Sequence, residues 1–499
     1  MADLTIIRSP TLLTLDAAGT VIEDGELWID GETIAYAGPS GAKAPPTDRP
    51  VDVVDGKGLV AMPGFANCHT HSYAALLKGT VDALPLDVFM VNAILAAGAR
   101  SARDVYVSAK LGALEMIMTG TTACLDHFSH RPRHRPEALD AVCQAYADVG
   151  VRAAVAPMFS DKPFVETIPL SDGEIPDHLK AALPATPQPH EPFFEMMTAG
   201  LERWAGHGRI NLMLGVDSPQ RCSDALLAKA GAFCATHGIG NHTHLLEAKT
   251  QWAMAQGRDS RGFVAFLADH GLAGPLSTFA HFIWFSEEDL AHAAAAGVTV
   301  VHNPASNLIL GSGIAPLIQL VEAGVPVAFG SDGLNAGHMS MFEKTRLAAL
   351  LPRVCEPDPD RWPAAGPVLR MATVNGARAL GRDGKVGTLK AGQLADIVLL
   401  DGSSLALSPR GDLPTQVVFY ETGASVRHVF IGGEAVVTDG APTHFNAADL
   451  MAEAAEIAAR LAAENQAALQ KAESYAPGLK AMVKRIHATC EGPCRLAQL

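Results

Sequence analysis

The chain has 499 residues, of which 48% are hydrophobic and 18% are charged. Disordered chains are much poorer in apolar residues, and collagen needs a strict glycine period that is absent here. With 38 Lys and Arg against 53 Asp and Glu, the formal net charge of −15 argues against a nucleic-acid binder and against a polybasic membrane patch.

Short strands separated by turns are predicted in two segments of the chain. Residues 1–58 contain candidate strands at Leu4–Ile7, Thr11–Thr14, Glu26–Ile29 and Thr33–Ala37. Residues 385–445 show the same pattern of short strands and turns. The candidate strands there are Ala395–Leu400, Val417–Tyr420, Val426–Ile431 and Glu434–Thr438, with Gly432-Gly433 as a hairpin turn. Residues 446–499 form a helical tail rich in alanine and glutamate, without a sustained heptad.

Residues 59–384 instead alternate short apolar strands with amphipathic helices. The candidate strands are 59–66, 121–126, 152–157, 211–216, 239–244, 277–281, 298–302 and 326–330. The candidate helices include Ala102–Met118, Pro136–Val149, Asp224–His237, Glu287–Ala296 and Phe342–Leu351. Eight such units predict an α/β barrel, and an open doubly wound sheet is the alternative that the count leaves open.

Targeting signals and the motifs of several enzyme classes are absent from the sequence. The first residues lack the basic and apolar regions of a secretory signal, and no uncharged apolar run approaches about 20 residues. Eight scattered cysteines are typical of reduced thiols, and the spacing of Cys490 and Cys494 fits neither a redox motif nor a zinc knuckle. There is no P-loop, HExxH or GxSxG. We expect a cytoplasmic protein that spans no membrane.

Polar residues follow several of the predicted strands at their carboxyl ends, where barrel enzymes place their active sites. His69 and His71 end the first strand and point to the same side of it, because residues two apart on a strand share a face. The fifth strand ends in His244 and is followed by Glu247. His281 and Asp332 end the sixth and eighth strands. Each of these residues alone is common at a strand end. Together they could bind a metal ion that activates water, with a residue beside it that transfers protons.

Ordered motifs across residues 1–440 resemble those of a known family. They are Pro63-Gly64-Phe65-x-Asn67-x-His69-x-His71, His244-x-x-Glu247, Ala280-His281, Val301-His302-Asn303-Pro304-Ala305-Ser306-Asn307, Gly330-Ser331-Asp332-Gly333, Met371-Ala372-Thr373-x-Asn375-Gly376-Ala377 and Gly387-Thr388-Leu389-x-x-Gly392-x-x-Ala395-Asp396. These motifs identify the sequence as similar to the amidohydrolase superfamily. It most resembles the branch of triazine hydrolases and adenosylhomocysteine/methylthioadenosine deaminases. This resemblance implies a distorted (β/α)₈ barrel beside a small β-sandwich built from both ends of the chain.

The resemblance also implies the metal. In this branch one divalent ion, Zn²⁺ or sometimes Fe²⁺, is held by residues that match His69, His71, His244 and Asp332. The binuclear branches use a lysine at the end of the fourth strand, where this chain has Gly215-Val216-Asp217-Ser218-Pro219-Gln220. A single-metal site is therefore expected.

The function that follows is the hydrolytic removal of an amino or alkylamino group from an N-heterocycle of the triazine, pterin, purine or pyrimidine type. Asp332 would take a proton from the water, His281 would orient it or stabilise charge on the adduct, and Glu247 would protonate the ring nitrogen and the leaving amine. Deamination of adenosylhomocysteine or methylthioadenosine, hydrolysis of a cyclic amide, and a scaffold without catalysis are the alternatives. The partner expected is a small molecule and not a nucleic acid, and a homodimer is compatible with the sequence.

Residues that contact the substrate are harder to infer. Nucleoside deaminases of the branch carry a histidine where this chain has Asp217, which weakens the nucleoside interpretation. Gln220 and Arg221 offer groups for a ring carbonyl or hydroxyl, and Asn303 and Asn307 are expected on the pocket wall. Residues 159–193 and Leu84–Phe89 are either lids over the pocket or surface insertions.

Overall fold

The computed structural model describes residues 4–80, 82–95, 100–130, 133–181, 189–334 and 337–489. Cys490, Cys494 and the rest of the last ten residues of the tail lie outside the described residues. Within the described ranges, no helix combines the length and the apolar character needed to cross a bilayer.

The strands fall into terminal and central groups. The amino-terminal strands are β1 (Leu4–Arg8), β2 (Thr11–Leu13), β3 (Val21–Ile22), β4 (Gly25–Asp30), β5 (Thr33–Pro39), β6 (Val51–Asp55) and β7 (Leu59–Pro63). The central strands are β8 (Phe65–His71), β9 (Thr121–Asp126), β10 (Arg152–Val155), β11 (Met158–Phe159), β12 (Ile210–Leu212), β13 (Leu214–Val216), β14 (Asn241–Leu245), β15 (Ser277–His281), β16 (Thr299–His302), β17 (Val327–Phe329) and β18 (Asp332–Gly333). The carboxyl-terminal strands are β19 (Ile397–Asp401), β20 (Val426–Ile431), β21 (Glu434–Thr438) and β22 (Ala441–Pro442).

Helices follow most of the central strands. They are α1 (Leu86–Leu95), α2 (Ala102–Met118), α3 (Pro136–Val149), α4 (Asp177–Lys180), α5 (His190–Arg203), α6 (Asp224–His237), α7 (Lys249–Gln256), α8 (Phe263–Asp269), α9 (Glu287–Ala296), α10 (Pro304–Ile309), α11 (Leu317–Glu322), α12 (Met341–Cys355), α13 (Ala365–Arg370), α14 (Gly376–Ala379) and α15 (Leu413–Phe419). The tail forms α16 (Ala447–Glu473) and α17 (Ala476–Thr489). The predicted helices α2, α3, α6 and α9 have the bounds that the sequence indicated, because their capping residues are local signals.

The central strands form a distorted barrel, as predicted. One parallel sheet has the order β12-β10-β9-β8-β18 and the other has the order β11-β13-β14-β15-β16-β17. The third, fourth and eighth barrel strands are each broken into two pieces, one in each sheet, so the two sheets join into a ring. β18 closes the ring by pairing in parallel with β8, where Asp332 lies opposite Thr70. This closure removes the open doubly wound alternative.

Both ends of the chain build the sandwich beside the barrel. One sheet has the order β5-β4-β1-β6, and the other, β22-β21-β20-β19-β7-β2-β3, mixes amino-terminal and carboxyl-terminal strands. Apolar side chains from both sheets, among them Ile7, Leu27 and Leu399, form the core between them. Arg152 of β10 and Asp396, just before β19, make a buried ion pair with a distance of 2.8 Å that joins barrel to sandwich.

Two predicted strands differ in the structure. The candidate strand 59–66 divides at Gly64, because β7 pairs antiparallel with β19 in the sandwich while β8 pairs with β9 in the barrel. A Cβ atom on Gly64 would lie 2.2 Å from the Thr122 side chain, so only glycine allows this close approach. The candidate strand Val417–Tyr420 belongs instead to α15, whose first turn is capped by the side chain of Asp412.

Candidate metal centre

Four barrel strands bring the predicted histidines and carboxylates to one place. His69 and His71 project from β8 towards the barrel axis, and their rings lie 4.8 Å apart between centroids. The ring of His244, from β14, lies 5.0 Å from that of His69 and 5.2 Å from that of His71. Asp332 reaches the same point from β18, with its Oδ1 3.2 Å from His71 Nε2.

Backbone carbonyls fix the tautomers of two of these rings. His71 Nδ1 donates to the carbonyl oxygen of His127 at 2.7 Å, and His244 Nδ1 donates to that of Asp217 at 2.7 Å. A carbonyl only accepts, so each Nδ1 carries the proton and each Nε2 keeps a lone pair. These two Nε2 atoms lie 3.2 Å apart and point at the same space.

A longer hydrogen-bond chain fixes the tautomer of His69. The Thr278 hydroxyl donates to the carbonyl oxygen of Asn241, so it accepts the proton of His242 Nδ1 at 2.7 Å. His242 Nε2 must then accept from His69 Nδ1, also at 2.7 Å. His69 therefore presents its Nε2 lone pair to the centre, as His71 and His244 do.

Electrostatics favour a neutral His69 and a neutral His244 beside an ionised Asp332. Burial lowers the pKa of His69 well below its ordinary value and lowers the pKa of His244 to about 3. Burial alone would raise the pKa of Asp332, but the neighbouring His69 and His71 hold it well below its ordinary value, and against the effect of burial the same carboxylate raises the pKa of His71. Ser306 donates a hydrogen bond of 2.5 Å to Asp332 Oδ2, which leaves Oδ1 turned towards the histidines.

These residues fit a divalent metal ion. His69, His71 and His244 each offer a nitrogen within 4.8 Å of the others. The ligand atoms of His69, His281 and Asp332, two nitrogens and a carboxylate oxygen, also lie within 4.8 Å of one another. His69 Nε2 is buried and has no hydrogen-bond partner among the described residues. Burying a lone pair without a partner costs free energy, which an ion would recover. Three imidazoles with one carboxylate form a donor set that suits zinc or iron.

Glu247 and His281 stand beside this centre. The distance between Glu247 Oε2 and His281 Nε2 is 3.7 Å. Burial, together with the charge of Asp332, raises the pKa of Glu247 well above its ordinary value. His281 Nδ1 donates to Asn307 Oδ1 at 2.8 Å, so His281 Nε2 can accept a hydrogen bond from water or substrate.

Left-handed backbone is concentrated at this centre. Leu246, His281, Phe282 and Asp332 have φ angles of +50°, +70°, +44° and +60°. Residues other than glycine rarely adopt such angles, and they persist where the surrounding packing enforces them. The strand ends are therefore held in a conformation that the backbone alone would not favour.

A pocket opens above the centre and contains some of the predicted substrate residues. His71, His244, Glu247, His281 and Asp332 line its base, and Gln220 and Arg221 line its wall. Both oxygens of Asp217 lie 3.0 Å from Arg221 Nη1, and Ser160 also donates to Asp217. Other parts of the wall come from the segment 159–193, with Phe164, Thr167 and Ile168, and from α1, with Leu86, Asp87, Phe89 and Met90. Residues 182–188 of that segment lie outside the described residues.

Asn303 and Asn307 do not lie on the pocket wall in the structure. Residues 304–309 form the short helix α10, and its first turn packs against the barrel and buries both side chains. Asn303 donates to the carbonyl oxygen of Val301, and Asn307 is the hydrogen-bond partner of His281. Asn307 thus acts on the site through His281 and not through a substrate.

Sequence reasoning missed several residues of the site. His127 follows β9 and lies among the central histidines, with its ring 4.7 Å from that of His244. His242 had a detectable signal, because it precedes His244 by two residues and so shares its face of β14. Asp87, on the first turn of α1, is a buried carboxyl of the pocket wall that accepts a hydrogen bond from Thr250. The segment Leu84–Phe89 was a candidate lid over the pocket in the sequence, but nothing singled out the carboxyl of Asp87 within it.

Comparisons with known proteins agree with this geometry. The sequence pattern of the Amidohydrolase family matches residues 60–436. The chain is 33% identical over 443 residues to a 5'-deoxyadenosine deaminase of Methanosarcina mazei, covering 88% of this chain and 94% of that protein. It is also 33% identical over 420 residues to a 5-methylthioadenosine/S-adenosylhomocysteine deaminase of Desulforudis audaxviator, covering 83% of this chain and 89% of the other. The chain belongs to the amidohydrolase family.

Solved structures with the same fold include two metal-containing enzymes. The crystal structure of an adenosine deaminase from Xanthomonas campestris with bound zinc superposes on this amidohydrolase with a TM-score of 0.81 and 25% identity, covering 92% of this chain and 98% of that chain. Atrazine chlorohydrolase from Arthrobacter aurescens, complexed with zinc, gives a TM-score of 0.80 at 23% identity, covering 91% of this chain and 100% of that chain. The second likeness concerns the fold alone. The similarity to the triazine hydrolase and deaminase branch inferred from the motifs is thus confirmed.

Proposed function

We propose that this amidohydrolase is a metal-dependent aminohydrolase that removes an amino or alkylamino group from an N-heterocycle. One observation carries the proposal: three Nε2 lone pairs and the Asp332 carboxylate converge at the base of a pocket, beside Glu247 and His281. Such a constellation suits hydrolysis of a carbon–nitrogen bond outside peptides, since water attacks an amidine-like carbon poorly without activation.

The ion proposed for this site is Zn²⁺, with His69, His71, His244 and Asp332 as its ligands. A divalent ion bound there would lower the pKa of a water molecule to near 7. The zinc in the adenosine deaminase of Xanthomonas campestris supports zinc over iron. Iron remains compatible with the same donor set.

Three residues around the ion have separate roles in moving and holding protons. Asp332 accepts a proton at Oδ1, since Oδ2 already accepts the hydrogen bond of the Ser306 hydroxyl. His281 accepts a hydrogen bond from the attacking water at Nε2, because Asn307 holds the proton on Nδ1. Glu247, whose raised pKa keeps it protonated, donates its proton to the ring nitrogen. It then takes up the proton of the hydroxyl group added to the carbon and passes it to the departing amine, and the proton that Asp332 took from the water returns Glu247 to its starting state. An amine leaves readily only after protonation, so Glu247 should control kcat.

Deamination of a 5'-deoxyadenosine-type nucleoside is the second candidate. It is favoured by the identity of 33% to relatives of that activity over most of the chain. Against it, Asp217 stands where nucleoside deaminases of the branch carry a histidine, and its carboxylate is bound to Arg221. A free heterocycle with an oxo or hydroxyl substituent would use Gln220 and Arg221 better.

A substrate panel tests the proposal. The zinc-loaded chain is given amino- and alkylamino-triazines, aminopterins, cytosine, adenine, 5'-deoxyadenosine, methylthioadenosine and a set of lactams, and released ammonia or alkylamine is measured. We expect turnover of at least one amino-heterocycle. Turnover of lactams alone would overturn the proposal, and so would no turnover at all by a chain that holds one zinc.

Glu247→Gln supplies the matched variant. General acid–base catalysis contributes roughly 10²- to 10⁴-fold, so we expect kcat to fall by that factor. Zinc content by mass spectrometry should stay at one per chain, because Glu247 is not among the proposed ligands. A variant with near-normal kcat would remove Glu247 from the proton transfers.

A further inference from the structure

A second cavity lies beside the pocket, between the turn Ser72–Leu77, α1 and the tail helix α16. We call it the side chamber. Its lining is mostly apolar and includes Leu76, Leu77, Phe89, Met90, Leu461 and Leu469. No residue proposed above as a metal ligand or proton carrier belongs to it.

The side chamber adjoins the pocket above the metal centre. Tyr73, Phe89, Met90 and Met158 line both spaces, so these side chains form the boundary between the two spaces. The ring of Tyr73 lies 5.4 Å from the ring of His71, a proposed metal ligand. A group that enters the side chamber would therefore branch off the substrate close to its reacting carbon.

The tail provides one wall of the side chamber. Ala458, Leu461, Ala462, Asn465 and Leu469 line it, and their spacing puts them on one face of α16. Leu461 is also part of an apolar cluster with Val107 and Leu114 of α2, which fixes this face against the barrel helices. The family pattern matches residues 60–436, so this wall lies outside the matched region.

We propose that the side chamber binds an apolar substituent of the substrate. The inference rests on the proposed function, since it takes the pocket above the metal centre as the place of reaction. An apolar lining favours an alkyl chain over a phosphate or carboxylate, which would lose its hydration there. Arg100, the cation on the lining, donates to the carbonyl oxygen of Tyr73 and stacks near its ring. The substituent is carried either by the leaving amine or by the ring.

A homologous series of substrates tests this assignment. One arm lengthens the leaving group from amino to methyl-, butyl- and hexylamino, and the other lengthens an alkyl group elsewhere on the ring. Each buried methylene is worth about 0.8 kcal/mol, so we expect kcat/KM to rise about fourfold per methylene in one arm until the side chamber is full. A flat series in both arms would overturn the proposal.

Two variants of α16 separate the side chamber from the rest of the site. Ala458→Phe fills it from the tail side, and Ala459→Phe places the same ring on the neighbouring, exposed position outside the lining. We expect Ala458→Phe to reduce the hexyl-to-methyl ratio of kcat/KM to near one and Ala459→Phe to leave it as in the unsubstituted chain. Equal ratios in the two variants would refute the side chamber as the binding place.

Calorimetric titration keeps this test independent of turnover. Alkylated heterocyclic products are titrated into the zinc-loaded chain and its two variants. Affinity that rises with chain length, except in Ala458→Phe, supports the side chamber even if no heterocycle is hydrolysed and the proposed function fails. Turnover of small heterocycles without any gain from chain length leaves the proposed function standing and refutes the side chamber.

Discussion

Removing the charge of Asp396 should destabilise the junction of barrel and sandwich far more than removing a comparable charge from the surface. Asp396 accepts from Arg152 Nε at 2.8 Å and from Nη2 at 3.0 Å, and both side chains are only 2% exposed. Its Oδ1 also accepts from the backbone nitrogen of Gly432. Asp396→Asn keeps the shape but leaves the Arg152 cation buried without a counter-charge.

The expected cost follows from this burial. Breaking a buried ion pair from one side costs about 3–5 kcal/mol, because the remaining charge has lost its partner and its water. The unfolding entropy of a 499-residue chain is about 1 kcal/mol per kelvin. Asp396→Asn should therefore lower Tm by about 3–5 °C.

An exposed pair of the same shape gives the control. Glu453 accepts two hydrogen bonds of 2.6 Å from Arg103, but these side chains are 34% and 61% exposed. Exposed pairs contribute about 0–1 kcal/mol, so Glu453→Gln should shift Tm by no more than about 1 °C. Scanning calorimetry of the three chains measures both effects. Equal shifts in the two variants would refute the argument that burial sets the cost.

Three further predictions concern the site. Asn307→Leu should reduce kcat by about 10- to 100-fold with unchanged zinc content, because His281 loses the acceptor that fixes its tautomer; normal kcat would show that this hydrogen bond is dispensable. Chelation should lower Tm, and zinc at about 1,000 times its Kd should restore about 4 kcal/mol, seen as about 4 °C; a chain whose Tm ignores zinc would contradict the metal centre. Burial raises the pKa of Asp87 to about 6 from 3.8, so the native state holds this proton more tightly and the stability present below pH 4 is lost as the pH rises through 6. Urea titrations at pH 4 and pH 8 measure the change in the free energy of unfolding between the two pH values, and Asp87→Asn should reduce this change by up to about 3 kcal/mol. The same change in both chains would refute the assignment.

The parts of the fold that local signals encode could be predicted from the sequence. Helix α2 begins where Ser101 and Asp104 form a reciprocal capping box, and α3 ends at Gly150, whose φ is +85°. Such caps depend on neighbours in sequence, so periodicity and capping together gave the bounds. The run Val417–Tyr420 shows the opposite case, since four β-branched and aromatic residues resemble a strand. Asp412 and Pro414 before them start a helix, and packing on α12 and α13 retains it.

The convergence of the histidines and carboxylates could be predicted from the sequence, whereas much of the pocket could not. Parallel strands of a barrel end at one face, so His69, His244 and Asp332 had to converge once the strands were assigned. The wall depends on loops and on distant segments such as α1 and the tail, whose positions no strand count fixes. Asn307 shows why the wall could not be predicted, because a residue near the site in sequence can either face the pocket or pack behind another site residue. The orientation of α10 in the structure decides between these two arrangements.

Packing and hydrogen bonds hold the strand ends of the centre in place. The left-handed conformations of Leu246, His281, Phe282 and Asp332 each cost on the order of 1 kcal/mol or more, and a solvent-exposed strand end would relax out of them. Leu246, His281 and Phe282 are fully buried, and the backbone nitrogen of Phe282 is tied to the carbonyl oxygen of Leu245. The His69, His71 and His244 rings are oriented by hydrogen-bond acceptors that lie behind them. The contacts that hold the strand ends are therefore separate from the ligand atoms that face the centre.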